Sequence, residues 1–129
     1  MHFADFALAR RVEAFEAESG RACTEAAAAR EPGVGAAWIA VGGGWAAFTG
    51  KDSPITQAVG LGMAGTVEER EIERMEEFYR SRGTATNIET CPLAHPSLFE
   101  ALGRRGYRVV EFSNVLYRAI EAGETFGPI

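Results

Sequence analysis

Residues 57–107 read QAVGLGMAGTVEEREIERMEEFYRSRGTATNIETCPLAHPSLFEALGRRGY, and their hydrophobic period switches repeatedly, as strand, helix, strand, helix and strand would make it do. Ala58-Val59-Gly60-Leu61-Gly62-Met63 is a short apolar run suited to a buried strand. Thr66 and Glu69 form a T-x-x-E capping box, which opens a helix over residues 66–83. Val67, Ile72, Met75, Phe78 and Tyr79 give this helix an apolar face, while its many Glu and Arg residues form a solvated one. Arg82-Gly83 ends it with a cation and a glycine. Residues 84–91 alternate as a second strand, Ser97 caps a short helix ending at Gly103 or Gly106, and Tyr107 begins a third strand. Such alternation implies an α/β layer with crossovers on a sheet.

Working outward, Asp5 caps an Ala-rich helical region that continues to Arg30, as one helix or as two broken near Ser19-Gly20. Phe3, Phe6, Val12 and Phe15 form its expected core stripe, and Pro32-Gly33 ends it. Residues 36–41 and 45–49 read as strands joined by Gly42-Gly43-Gly44. No helix follows the three glycines, so they form a hairpin turn and not a phosphate loop. Downstream, residues 107–112 and 115–120 read as strands joined through Ser113-Asn114. The expected fold is α/β (α+β) with a mixed sheet, in the order helical region, β-hairpin, β, long α, β, short α, β, β. Residues 1–122 form one domain and residues 123–129 a tail or truncated linker.

Composition narrows the function classes. A chain of 129 residues can bury one core without disulfide support. A net charge of −5 supplies no basic footprint for nucleic acid. The two cysteines, Cys23 and Cys91, form no metal-ligand spacing and read as thiols of a reducing compartment. No targeting signal or apolar span is present, so the expected location is cytoplasmic, away from membranes.

Glu76-Glu77-Phe78-Tyr79-Arg80-Ser81-Arg82-Gly83 and Ser97-Leu98-Phe99-Glu100-Ala101-Leu102-Gly103-Arg104-Arg105-Gly106-Tyr107, together with the order of elements, resemble the GNAT superfamily of acyl-CoA-dependent N-acetyltransferases. They are similar to its long helix ending in Arg-Gly and to its segment ending in Gly-Phe or Gly-Tyr. Asp52-Ser53-Pro54 with Val59-Gly60-Leu61-Gly62 resembles the first half of two-domain GNAT proteins. The resemblance implies acetyl transfer from acetyl-CoA to a small-molecule or peptide amine, with the CoA pyrophosphate on backbone amides of a Q/R-x-x-G-x-G/A loop at the long helix.

Residue by residue, that implied site is degenerate. Gln57-Ala58-Val59-Gly60-Leu61-Gly62 matches the loop literally but lies inside the expected strand. Counting back from Arg82-Gly83 puts the loop at Met63-Ala64-Gly65-Thr66-Val67-Glu68, where Met63 stands for the Gln or Arg and Glu68 for the final small residue. Gly65 and Thr66 are therefore the candidate cofactor-binding amides, and Glu68 is expected to compete with the pyrophosphate for the helix field. Leu102 stands where the family often has its thiolate-protonating Tyr, and His95 where it often has an Asn. His95 is the candidate catalytic base, with Glu89 and Asp52 behind it, and no metal site is expected. The main expectation is an acetyltransferase domain whose own cofactor site is weak or absent and whose partner is a second GNAT domain. The alternatives are a small complete acetyltransferase and a non-catalytic GNAT-fold homodimer, with Trp38, Trp45 and Phe48 at its interface.

Overall fold

The computed structural model describes residues 4–128. Its elements are α1 (Phe6–Arg30), a 3-10 turn (Pro32–Val34), β1 (Ala37–Val41), β2 (Gly44–Phe48), β3 (Ala58–Val59), α2 (Glu69–Arg80) and α3 (Pro96–Arg104). The fold is a mixed α/β arrangement around a three-stranded antiparallel sheet in the order β1-β2-β3.

The hairpin follows from its glycines. Gly42 and Gly43 both have positive φ, 56° and 84°, as a two-residue turn between twisted antiparallel strands requires. Gly44 is not part of the turn: it pairs with Val41, and a Cβ there would lie 2.1 Å from the Val59 carbonyl oxygen. Close approach of β3 sets that position. In this register Ala37, Ile39 and Val41 share a face with Phe48, Ala46 and Gly44, and Trp38 and Ala40 share the other with Ala47 and Trp45.

The first face joins the main core, which contains Ile72, Met75, Phe78 and Tyr79 of α2 and Leu98, Ala101 and Leu102 of α3. Tyr79 is fully buried, and its hydroxyl donates to the Ala47 carbonyl at 3.2 Å. The other face lies under α1. Trp38 and Trp45 meet edge to face at 4.8 Å, with the Arg21 guanidinium over both rings. This pair is therefore occupied within the chain, and Phe48 is buried in the core on the opposite face.

Four expectations need correction. The core face of α1 is not the aromatic stripe: Phe6 and Phe15 are 49% and 69% exposed, whereas Ala9, Glu13, Ala17 and Thr24 are buried. Phe3 lies outside the described residues. Small residues win because the helix lies close on the sheet; a Cβ on Gly60 would come within 3.2 Å of the Ala17 Cβ. The helix runs unbroken through Ser19 and Gly20, and Asp5 caps it by accepting from Leu8 N at 2.8 Å.

The strand expected over residues 58–63 stops after Val59, because Gly60 and Gly62 turn away with φ of 81° and 75°. Its short length leaves residues 84–91 little to pair with. The second expected strand is reduced to a single parallel bridge between Ile88 and Ala58. The two closing strands, residues 107–112 and 115–120, are not formed either. Residues 108–128 are exposed and lack the neighbouring strand that alternation alone does not supply. Ile129 lies outside the described residues.

Candidate functional site

The helix whose N-terminus is the candidate cofactor position starts later than the T-x-x-E motif implies. Thr66 is outside α2; Glu68 is the N-cap, and the residue at N3 is Glu71. Two overlapping x-x-E frames compete here, and the one beginning at Glu68 prevails because Glu71 reaches two amides. Its Oε2 accepts from Glu68 N at 3.1 Å and its Oε1 from Gly42 N in the hairpin turn at 2.9 Å. One carboxylate thus ties the helix start to the sheet, in the favourable field of the helix N-terminus.

The surrounding backbone is stitched together in the same way. Gly62 N donates to Gly42 O at 2.9 Å, His95 N to Gly62 O at 2.8 Å, and Val67 N to Ser97 Oγ at 2.9 Å. Gly65 and Thr66 sit on the outer side of this knot, Gly65 with φ of 134° and Thr66 exposed. Their amides make no hydrogen bond among the described residues. A Cβ on Gly65 would meet nothing within 4 Å, so no wall faces the loop there.

His95 is exposed and is itself the N-cap of α3, correcting the assignment of that role to Ser97. Its Nδ1 accepts from Ser97 N at 3.2 Å and lies 2.9 Å from Ser97 Oγ. Gly65, Thr66 and His95 are therefore brought into one neighbourhood through Val67 and Ser97. What joins them is capping: Ser97 Oγ accepts from Val67 N and can donate to the ring nitrogen.

Gln57, the first residue of the literal loop match, is spent elsewhere. Its Nε2 donates to Glu89 Oε2 at 3.0 Å. Near this pair lies a residue that sequence reading missed. Glu13 of α1 is 9% exposed, and its Oε2 has no hydrogen-bond partner among the described residues. Burial first, then the charges of Glu89 and Glu16, raise its pKa above the usual carboxylate range. The signal available in sequence was its place on the small-residue face, between Ala9 and Ala17 at i±4. A raised carboxyl of this kind is the sort of group a general base needs, but it is sealed against the sheet.

The acidic face of α2 is not simply solvated. Glu69 pairs with Arg104 of α3 at 2.5 Å, and Arg105 lies 3.2 to 3.7 Å from carboxylate oxygens of Glu76, Glu69 and Glu73. Beside this network a cleft is lined by Glu76, Arg80, Thr84, Thr86, Arg105 and Tyr107, among others. The Tyr107 hydroxyl donates to Glu76 Oε1 at 3.1 Å. Burial, and then that carboxylate, push its phenol up to about 12. None of Gly65, Thr66, His95 or Glu13 lines this cleft. Asp52 is exposed in the loop before β3.

Cys23 and Cys91 are free thiols. Among the described residues no group of three or more His, Cys, Asp or Glu is placed to hold a metal ion, and no helix is long and apolar enough to cross a membrane. In comparisons with known proteins, the chain matches no family model, no curated protein and no solved structure.

Proposed function

We propose that this chain is a GNAT-like domain serving an acetyltransferase as an architectural unit, and that a second GNAT domain holds acetyl-CoA and performs the transfer to an amine. One observation carries the reading: the Glu71 carboxylate already sits on the amides of Gly42 and Glu68, at the helix start where a GNAT-type fold would place the CoA pyrophosphate. A bound anion stabilises a helix N-terminus through the field of its unpaired N–H groups, and an internal carboxylate uses that field permanently. Pyrophosphate would have to share the site with Glu71, Glu68 and Glu69, all near one helix end. The open amides of Gly65 and Thr66 favour the second reading, a complete acetyltransferase with a loose loop.

Titration of the chain with acetyl-CoA separates the two. The architectural reading expects no saturable binding up to millimolar ligand. It also expects Glu71→Ala to bind CoA more tightly than the parent chain, because the substitution frees two amides and removes a competing charge. Unchanged affinity in that variant would mean that Glu71 is not what closes the position.

A further inference from the structure

We propose that Glu13, Gln57 and Glu89 form a site for a hard divalent cation of the calcium or magnesium class, set where α1 crosses the seam between β3 and residues 84–91. The sheet register brings these side chains together. Trp45 pairs with Val59, and one step on Ala47 N donates to Gln57 O, so Gln57 shares the face under α1 with Trp45 and Val59. Ile88 bridges Ala58 and packs against the core on the other face, so its neighbour Glu89 also turns toward α1. The bond from Gln57 Nε2 to Glu89 Oε2 at 3.0 Å joins the two side chains there. Glu13 lies over the same end of β3: a Cβ on Gly60 would be 3.6 Å from its carbonyl oxygen.

Two acidic side chains alone do not make a site; here the unfilled oxygens and the unmatched charge point to a ligand. Glu13 is 9% exposed, and its Oε2 is sealed from solvent without a hydrogen-bond partner. Glu89 Oε1 and Gln57 Oε1 accept no hydrogen bond among the described residues either, because the bond within this pair uses the other atom of each group. Neither carboxylate forms an ion pair among the described residues, whereas Glu69, Glu73, Glu76 and Glu77 of α2 all do. The charge of Glu89 is also felt at Glu13, so the two carboxylates lie within each other's field.

Buried carboxylate oxygens left without donors or counter-charge are costly, and a cation bound to them removes that cost. Three oxygen donors, two of them anionic, with neither nitrogen nor sulfur, suit a hard cation and no soft one. No three acidic, imidazole or thiol groups converge among the described residues, so the third protein ligand is the Gln57 carboxamide. Gln57 and Glu89 are partly exposed, which opens the site to entry and to the water such ions keep. With two charged ligands the expected dissociation constant is weak, about 0.1 to 1 mM. Residues 84–91 are held to β3 by a single bridge, so the ion fastens this edge to α1. This inference stands apart from the acetyltransferase reading, and either can fail without the other.

The test is calorimetric titration of the full chain, first stripped with a chelator, with calcium chloride and separately with magnesium chloride, alongside thermal melts. The expected result is saturable binding of at least one of the two ions near or below about 1 mM, with Tm rising over the same range. Glu13→Gln and Glu89→Gln are each expected to weaken binding at least about tenfold, since each removes one of two charged ligands. Glu13→Gln removes a buried charge and keeps the fold; in cation-free buffer it melts above the parent chain, and saturating cation narrows that difference. No saturable binding of either ion up to about 10 mM overturns the proposal. Binding that either variant leaves unchanged overturns it too, because the ion then sits elsewhere, as on the acidic face of α2.

Discussion

Glu71 and Glu13 show how far one carboxylate's environment can depart from another's in the same small domain. Glu71 accepts from two amides at a helix start, and Glu71→Ala is expected to lower stability by about 1 to 2 kcal/mol, measured by urea denaturation. Glu13 is buried with an unpartnered oxygen and a raised pKa, so the folded state favours its protonated form. For an acid raised on folding, the folded state binds more protons than the unfolded state between the two pKa values, so stability falls as pH rises through the folded one. The contribution is fully present below the ordinary Glu value of about 4.3 and lost above the folded pKa. Glu13→Gln, which mimics the protonated group, should therefore raise Tm at neutral pH, with a gain that shrinks as pH falls toward about 4. Thermal melts across that range check it; a pH-independent difference would show that the charge of Glu13 is not the cause. The role of Glu71 was not legible in sequence, because it depends on Gly42 far along the chain; that of Glu13 was signalled only by its place between Ala9 and Ala17, since its burial and then the charge of Glu89 come from the fold.

At the scale of elements, what could be read was what rests on local chemistry. The hairpin was legible because Gly42-Gly43 meets the φ demand of a tight turn, and the α2 core face because Ile72, Met75 and Tyr79 recur at helical spacing. The α1 face was misread because bulk is a poor guide where backbones approach closely: Ala9 and Ala17 face the sheet while Phe15 faces away. β3 ends early because its glycines permit a turn that a longer ladder would forbid. Gly44 carries a sharp prediction. Gly44→Ala would place a Cβ 2.1 Å from the Val59 oxygen and should disrupt the β2–β3 pairing, whereas Gly33→Ala, with open space around it, should be nearly neutral. Urea titration and the Trp38 and Trp45 fluorescence of the sheet compare the two. Tyr79→Phe should cost about 1 kcal/mol by removing the hydroxyl's bond to Ala47 in the core.

For the molecule as a whole, the strands expected over residues 107–112 and 115–120 are not formed, and the absence of a partner strand was not legible. An alternating sequence states that a segment suits a sheet; which sheet it joins depends on edges that the segment does not encode. The same holds for the candidate cofactor position. Sequence placed the candidate loop at Met63 to Glu68 and expected Glu68 to block it, while the structure puts Glu71 on the amides of Gly42 and Glu68 and leaves those of Gly65 and Thr66 open. The proposed architectural role rests on the Glu71 carboxylate at this helix start, and its most direct test is calorimetric titration of the full chain with acetyl-CoA at low and moderate salt. It predicts no saturable heat at millimolar ligand in either buffer. Binding near micromolar, about −8 kcal/mol, would contradict it and would show that the Gly65 and Thr66 amides hold pyrophosphate despite Glu71.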